Sequence, residues 1–141
     1  MPGARPYAVT LPDGTVVYGR GRREPPPEGP PPTFGLCLGH DRGSYRPGWR
    51  LEWVDWPDFR LPRDPEAAAA AIRRAHALAK DGERVEITCG GGTGRTGTVI
   101  ACLAVLAGVP GEDAVAWART HYRHHAVETP GQRRWVRRFA D

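Results

Sequence analysis

The fold and the chemistry of this chain are set by residues 85–97, which read Val85-Glu86-Ile87-Thr88-Cys89-Gly90-Gly91-Gly92-Thr93-Gly94-Arg95-Thr96-Gly97. A short apolar run ends in a thiol, four of the next five residues are glycine, and an arginine then opens a long apolar stretch. This order predicts a buried strand, a tight loop and a helix that begins near Gly94. Glycine-rich backbone can curl until its N–H groups converge, so we predict that the loop binds an oxyanion.

Two side chains give this predicted loop its chemistry. Cys89 precedes a helix N-terminus, whose unpaired N–H groups and dipole favour a negative charge. A thiol in that position, with a guanidinium nearby, ionises readily and becomes a nucleophile. The planar Arg95 side chain can hold two phosphate oxygens at once. We therefore predict Cys89 as a nucleophile, with a phosphate-binding loop made of Gly90, Gly91, Gly92, Thr93, Gly94 and Arg95.

At these residues the chain resembles the cysteine-dependent protein tyrosine phosphatases. Their signature is Cys, five residues, Arg and then Ser or Thr, commonly with glycine at the third and fifth intervening positions. Cys89, Gly92, Gly94, Arg95 and Thr96 all match it. The chain departs from the family at Thr88, because most members have there a histidine that helps to fix the loop.

Two further segments extend this resemblance, so that it covers the chain from about Leu51 to its end. Trp56-Pro57-Asp58 is identical to the mobile loop that carries the family's general acid. The segment 127–132, together with Trp135, Val136 and Phe139, resembles the loop whose glutamine positions the hydrolytic water. The resemblance implies that Asp58, rather than the nearby Asp55, protonates the leaving group, and that Gln132 orients the water.

Three other residues receive roles at this stage. The resemblance implies that the Thr96 hydroxyl stabilises the cysteine sulfur as a leaving group. Residues 39–45 are a candidate wall of the substrate pocket, with Tyr45 placed to stack on an aryl ring. Trp56 is a second candidate for this wall, and it also gives the acid loop an apolar anchor.

The predicted fold class is α/β, with a small mixed central sheet flanked by helices and an N-terminal β-hairpin, and it agrees with the resemblance. Turn residues Pro12-Asp13-Gly14 separate the two runs of the hairpin. The other predicted elements are strands at Thr33–Leu38, Arg50–Val54 and Arg84–Thr88, and helices from Asp64 to about Lys80, from Arg95 to about Ala107, from about Glu112 to His124 and from Pro130 to near Phe139.

Length and composition favour one domain. The chain has 141 residues, of which 40% are apolar, enough for a single core. We predict a phosphatase domain over 1–141, with the hairpin in 1–24, a proline-rich connector in 25–32 and the catalytic core in 33–141. With neither a membrane-length apolar run nor a secretory signal, a cytoplasmic protein without a membrane partner is expected.

The basic character of the chain has a simple interpretation. The formal net charge is +4, yet Lys80 is the only lysine among 20 basic residues, and Ala, Gly and Pro are abundant. This bias indicates a GC-rich coding sequence, of a kind common in bacteria, and no nucleic-acid partner is expected. Among His121, His124 and His125, the i and i+4 pair His121 and His125 shares a helix face, but no third ligand is evident, so neither a metal nor another cofactor is predicted.

The remaining cysteines leave a choice open. Cys37 and Cys102 read as small buried hydrophobic residues, in keeping with a reducing compartment. The alternative is that one of them forms a protective disulfide with an oxidised Cys89.

These observations predict a protein tyrosine phosphatase, possibly of dual specificity, that acts on phosphorylated protein through a cysteinyl-phosphate. Three alternatives stay open. An inositol-phosphate or phosphoinositide phosphatase fits the same signature, although such relatives often carry lysine within the loop, which is uncharged here. An RNA 5′-triphosphatase fits the basic charge, although those enzymes generally do without the upstream acid. A phosphate-binding module that does not hydrolyse its ligand has Thr88 as its support.

Overall fold

A five-stranded mixed sheet organises the chain, seen in a computed structural model that describes residues 7–40 and 45–139. The strands run in the spatial order β1-β2-β5-β3-β4. Only β1 and β2 are antiparallel, and this pair is the predicted hairpin; the other neighbours are parallel. The strands are β1 (Ala8–Thr10), β2 (Val16–Gly21), β3 (Phe34–Leu38), β4 (Arg50–Val54) and β5 (Val85–Cys89).

Four α-helices in the described part of the chain complete this α/β fold, and the predicted fold class is confirmed. They are α1 (Pro65–Lys80), α2 (Gly94–Leu106), α3 (Ala114–His121) and α4 (Pro130–Arg137), with a 3₁₀ turn at Gly111–Asp113. The Asp64 side chain caps α1 by accepting a hydrogen bond from the Ala67 N–H at 3.0 Å. Thr129 caps α4 through a capping box with Gln132. Both helices begin with proline, as expected from its fixed φ.

Helix α3 corrects the prediction of a helix from about Glu112 to His124. It ends at His121, and Tyr122 takes φ −119° and ψ −85°, outside the helical region. The departure has a cause in the tertiary structure. The side chains of Tyr122 and Arg123 both turn to hydrogen-bond with the glycine-rich loop, which a continued helix would not allow.

Helices α1 and α2 pack on one face of the sheet. The strand register aligns Gly19 with Ile87, and Leu36 with both Ile87 and Glu52, so these residues share a face. Ile100 of α2 lies directly above Gly19, and Arg74 of α1 pairs with Glu52. Full burial of such aliphatic side chains contributes about 1.5–3 kcal/mol each. The core on this face includes Val17, Leu36, Ile72, Ile87, Ile100 and Leu103.

Parallel pairing places the carboxyl ends of β2, β5, β3 and β4 at one edge of the sheet. Ligands of open α/β sheets bind outside this edge. Cys89 is the last residue of β5, so the glycine-rich loop opens there. Of the predicted wall segment 39–45, residues 41–44 lie outside the described residues. In the part of the chain that is described, no helix is long and apolar enough to cross a bilayer.

Candidate active site

The glycine-rich loop is held from outside through its carbonyl groups. Four consecutive carbonyls, from Cys89 to Gly92, each accept a hydrogen bond from another part of the chain. The donors, in that order, are Arg22 N at 2.8 Å, Arg23 N at 3.3 Å, Arg123 Nη1 at 2.9 Å and the Tyr122 hydroxyl. Because the carbonyls point outward, N–H groups of the same peptides are free to face inward. One of them, Gly92 N–H, donates to Cys89 Sγ at 3.1 Å.

Glycine is required at two positions of this loop. Gly92 has φ +79°, in the left-handed region, and a Cβ there would overlap the backbone of Gly21. At Gly94 a Cβ would overlap the carboxylate of Glu128. The loop therefore needs glycine for its backbone conformation at one point and for close packing at the other.

Arg95 joins the loop to the segment that carries the predicted acid. Its side chain is only 8% exposed, and Nη1 donates to the carbonyl of Trp56 at 3.0 Å. Nε lies 3.5 Å from Oδ1 of Asp58, an ion pair with an exposed carboxylate. The structure thus brings Asp58 to the arginine at the mouth of the loop. Asp55 pairs instead with Arg63 at 3.3 Å.

Arg22 contacts the residue that departs from the family pattern. Its Nη1 donates to the carbonyl of Thr88 at 3.1 Å and to the Thr88 hydroxyl at 3.2 Å. Its Nη2 donates to the carbonyl of Leu38 at 3.1 Å, which ties the ends of β5 and β3 together. A guanidinium therefore fixes the backbone immediately before Cys89, and sequence analysis did not identify it.

Glu128 is a second carboxyl group at the site that sequence analysis missed. It abuts Gly94, at the start of α2. Partial burial, followed by the nearby Asp58 carboxylate, raises the pKa of Glu128 above its usual value, although Arg95 and His125 oppose this effect. The Glu128 carboxyl consequently holds its proton to a higher pH than an ordinary glutamate does.

An open pocket of about 440 Å³ adjoins these groups and is lined by Phe59, Arg119, His125, Val127 and Glu128. Phe59 has φ +60° and Val127 has φ +66°, a conformation uncommon for residues with a side chain and rare for a β-branched one. Arg119 supports the Val127 segment by donating to the carbonyls of Ala126 and Val127 at 2.8 and 2.7 Å. Two residues with strained backbone, Phe59 and Val127, therefore line this pocket, and such strain is common at functional sites.

Gln132 and Thr96 are both fully buried. Oε1 of Gln132 accepts hydrogen bonds from the N–H groups of Glu128 and Thr129 at 2.9 and 3.3 Å, and Nε2 donates to the carbonyl of Arg60 at 3.2 Å. Gln132 thus connects α4 to the acid loop, and its role in placing water stays a prediction. The Thr96 hydroxyl has no hydrogen-bond partner among the described residues, the Cys89 sulfur included.

The prediction that Trp56 forms part of a substrate wall is wrong. Its side chain is 0% exposed, its Nε1 donates to the carbonyl of Arg60 at 2.7 Å, and its ring packs edge-on against Trp135. Trp56 is an anchor of the acid loop and cannot contact a ligand in this conformation.

Tyr45 is tied to a buried ion pair. Its hydroxyl accepts a hydrogen bond from Arg20 Nη2 at 2.8 Å, and Arg20 pairs with Glu86 at 3.0 Å. Burial, together with the charge of Glu86, raises the pKa of Tyr45 to about 12. The hydroxyl is thus engaged on the sheet, and contact of the ring with substrate stays a prediction.

Cys37 and Cys102 are buried free thiols, as the sequence suggested. Cys37 aligns in register with Thr88, so its side chain points to the sheet face opposite that of Cys89. Burial raises the pKa of both thiols. This arrangement disfavours a protective disulfide between Cys37 and Cys89.

The histidines at the end of α3 contact aromatic neighbours. His121 stacks on Trp117 with ring centroids 4.2 Å apart, and the rings of His124 and His125 meet edge-on at 5.0 Å. Within residues 7–40 and 45–139, no three His, Cys, Asp or Glu side chains are grouped to hold a metal ion. His125 instead lines the pocket beside Glu128.

A parallel strand that ends in cysteine, a loop closed by arginine and a helix at the carboxyl edge of the sheet define a protein of the tyrosine and dual-specificity phosphatase class. A family model described as "Swiss Army Knife protein, DSP-PTPase phosphatase domain" matches residues 60–140. The chain belongs to this family. The match begins after Asp58, so Trp56-Pro57-Asp58 lies outside it.

Known proteins agree with this assignment. The receptor-type tyrosine-protein phosphatases C of Homo sapiens and Mus musculus are each 30% identical over 76 residues, which is 53% of this chain but only 6% of each receptor. Among solved structures, Tk-PTP in its active form has a TM-score of 0.71 and 24% identity, covering 95% of this chain and 96% of the other.

Two further structures share the fold. Kinase-associated phosphatase, with its catalytic-site cysteine replaced by serine, has a TM-score of 0.63 and 21% identity, covering 76% of this chain and 68% of its own. PTPMT1 in complex with PI(5)P has a TM-score of 0.59 and 16% identity, over 75% and 74% of the two chains. At such identities the likeness shows the fold alone.

Proposed function

We propose that this chain hydrolyses phosphate monoesters through a cysteinyl-phosphate, and that phosphotyrosine in proteins is its leading substrate. The observation that carries the proposal is the loop that begins at Cys89. Its carbonyls are held outward, an N–H group points at the sulfur, and Arg95 and Asp58 meet at its mouth. Preorganised donors of this kind stabilise the charge that develops on a transferring phosphoryl group.

In the first step the Cys89 thiolate attacks phosphorus. The S–P bond forms, the ester O–P bond breaks, and the Asp58 carboxyl gives its proton to the departing oxygen. The loop N–H groups and Arg95 hold the three non-bridging oxygens. Nε of Arg95 is buried and makes no hydrogen bond in the described part of the chain, and its contact there is the ion pair with Asp58 at 3.5 Å. A phosphoryl oxygen would take the place of that carboxylate on Nε.

In the second step a water molecule attacks the cysteinyl-phosphate. Asp58, now a carboxylate, takes the proton of the water, the P–S bond breaks, and phosphate leaves with Cys89 returned to the thiolate. The unpartnered Thr96 hydroxyl can then hydrogen-bond to the sulfur as the charge returns to it. Gln132 is fully buried in this conformation, so it can orient the water only after the segment that covers it has moved.

The substrate class rests on analogy. Relatives named as tyrosine phosphatases support phosphotyrosine, with dual specificity as an extension. The structural neighbour bound to PI(5)P supports a phosphoinositide as the second candidate. A cytoplasmic location and a bacterial origin are expectations from composition, and nucleic acid is not an expected partner.

Hydrolysis of para-nitrophenyl phosphate across the pH range tests the proposal, with orthovanadate as inhibitor. We expect Cys89→Ser to abolish turnover. Asp58→Asn should lower kcat about 10²–10⁴-fold and remove the fall of rate on the alkaline side, since the proton donor is gone. Asp55→Asn is the matched control, because this carboxylate pairs with Arg63, and it should stay within about twofold of wild type.

Two results would contradict the proposal. Equal rates for wild type and Cys89→Ser would exclude the covalent route. Tight vanadate binding without any turnover by the wild type would favour a module that recognises phosphate without hydrolysing it.

A further inference from the structure

The acid loop carries the large apolar side chains that the fold leaves uncovered. In the two stretches of chain that the structure describes, Phe59 and Leu61 are the exposed large apolar residues, at 59% and 39%. Both follow Asp58 within three positions, and the exposed Arg60 lies between them. Apolar residues scattered singly over a surface are normal, but here the exposure is confined to one short turn beside the proposed proton donor. This turn is therefore a candidate contact surface.

Helix α4 lies against this turn and brings positive charge to it. A Cβ added to Gly131, in the first turn of α4, would lie 4.0 Å from Cγ of Leu61. Positions 131, 134 and 138 are spaced by three and four, so they follow one side of the helix. Arg134 and Arg138 therefore continue, as a basic stripe, along the side of α4 that faces Leu61.

The positive charges of this stripe and of the turn are not neutralised internally. Within residues 7–40 and 45–139, the exposed side chains of Arg60, Arg134 and Arg138 form neither an ion pair nor a hydrogen bond. Arg63, at the end of the turn, differs because it pairs with Asp55 at 3.3 Å. Exposed cations beside exposed apolar side chains are complementary to a ligand that is acidic and also carries an apolar residue.

The surface begins at the mouth of the phosphate loop. Asp58 pairs with Arg95 there, and Leu61 is three positions further along the chain. From Gly131 to Arg138 the helix rises about 10 Å, a length that about three residues of extended chain cover. A peptide held at the loop by its phosphate can therefore reach the arginines with the residues that lie next to its phosphorylated one.

We propose that Phe59, Arg60, Leu61, Arg134 and Arg138 form a docking surface for an acidic segment of the protein substrate, one that also carries an apolar residue. The proposal rests on the function proposed above and adds to it the kind of sequence that is recognised. A protein segment is favoured over an anionic bilayer because the surface has three unpaired cations, fewer than the clusters of about 4–8 that hold proteins on anionic lipid.

The test compares three phosphotyrosine peptides of equal length with para-nitrophenyl phosphate. One peptide has leucine and a run of glutamates after the phosphotyrosine, one has them before it, and one has glutamine at every glutamate position. We expect the wild type to give a higher kcat/KM for one of the acidic peptides than for the neutral one. In Arg134→Gln/Arg138→Gln this preference should fall about two- to tenfold, as expected for the loss of two exposed charge pairs.

Arg133→Gln/Arg137→Gln is the matched control. It removes the same charge from the other flank of α4 and should keep the preference. Leu61→Asn should lower kcat/KM for the preferred peptide relative to para-nitrophenyl phosphate, because it removes the apolar part of the surface. Raising the salt concentration to about 0.5 M should shrink the preference of the wild type, since salt screens exposed charges.

Binding of the peptides to Cys89→Ser, followed by fluorescence anisotropy, separates the docking surface from catalysis. If no substrate turns over, the proposed function fails. Tighter binding of an acidic peptide than of the neutral one, lost on adding Arg134→Gln/Arg138→Gln, would still support the surface.

Three results would overturn the docking surface. They are equal affinity of Cys89→Ser for the acidic and neutral peptides, a preference that survives Arg134→Gln/Arg138→Gln, and an equal loss of preference in the control. With equal affinities, sedimentation with phosphatidylserine vesicles that depends on Arg134 and Arg138 would identify a lipid surface as the partner instead.

Discussion

The phosphate loop and the acid loop, residues 89–95 and 55–60, face each other but are held in different ways. Cys89 and Arg95 are 2% and 7% exposed, and the first four loop carbonyls are bound by donors from elsewhere in the chain. The Asp58 side chain is 56% exposed and Phe59 is 59% exposed. The phosphate loop is thus held along its length, whereas the acid loop is anchored through Trp56 and the Arg60 carbonyl and exposes the turn that carries Asp58. A preorganised anion site beside an exposed turn between fixed ends suits a proton donor that moves toward substrate.

Gly92→Ala should have the largest effect on activity, because it changes the phosphate loop, the more rigidly held of the two loops. Alanine at φ +79° is strained, and its Cβ would overlap the backbone of Gly21. We expect kcat/KM to fall at least about 100-fold and stability to fall by about 1–3 kcal/mol. Steady-state kinetics and urea denaturation measure the two effects. Gly29→Ala is the control, since φ there is +116° in open space; it should cost stability only. Unchanged kinetics in Gly92→Ala would contradict a rigid loop.

Arg123→Met should have the next largest effect. It removes the donor to the Gly91 carbonyl and the Thr93 hydroxyl, and it leaves the Glu24 carboxylate without this partner. We expect kcat/KM to fall about 10- to 100-fold, the range for losing bonds to a charged donor. The pH profile of Cys89 alkylation by iodoacetamide should also differ from that of wild type. The control Arg134→Met, at an exposed position of α4, should change neither kcat/KM for para-nitrophenyl phosphate nor this profile. Equal alkylation profiles would show that the outward bonds do not shape the site around the sulfur.

Glu128→Gln should have the smallest effect, and it probes the place where the two loops meet. Because burial and Asp58 raise the pKa of Glu128 in the folded protein, its ionised form costs stability above the usual carboxyl range. The variant should therefore be the more stable one at neutral pH, by less than about 1 kcal/mol because solvent screens the group. Thermal denaturation from about pH 4 to about pH 8 should show the difference vanish toward acid. Glu112→Gln, at an exposed position, is the control and should not show this pH-dependent gain in stability. If Glu128→Gln stayed more stable than wild type at low pH, the raised pKa of Glu128 would not be its cause.

Local patterns predicted much of the fold. The strand ending at Cys89, the helix that follows, and the caps Asp64 and Thr129 all depend on residues close in sequence, where spacing carries the information. The same is true of Arg95, which is fixed relative to Cys89 by the loop between them. Asp58 was placed by the resemblance, and the structure brings it to Arg95.

The residues that support the loop could not be predicted in this way. Arg22 and Thr88 are 66 positions apart, and Arg123 lies 32 positions from Gly91. Nothing in the sequence pairs them, because such contacts arise only when the sheet and α3 are assembled. The prediction that Trp56 lines the substrate pocket was wrong for a related reason. The sequence around a tryptophan in such a loop is equally compatible with contact to substrate and with burial as an anchor, and only the packing against Trp135 decides between them.

The hydrogen bond from Arg95 Nη1 to the carbonyl of Trp56 has a consequence for inhibition. The guanidinium that would bind phosphate also holds the backbone of the acid loop. Phosphate binding and the position of the acid loop are therefore coupled, and each changes the other by the same free energy. A compound that bound in the pocket lined by Phe59 and preferred one arrangement of that loop would therefore alter oxyanion affinity at a distance. Such a ligand would not need the negative charge that makes phosphate mimics poor at entering cells.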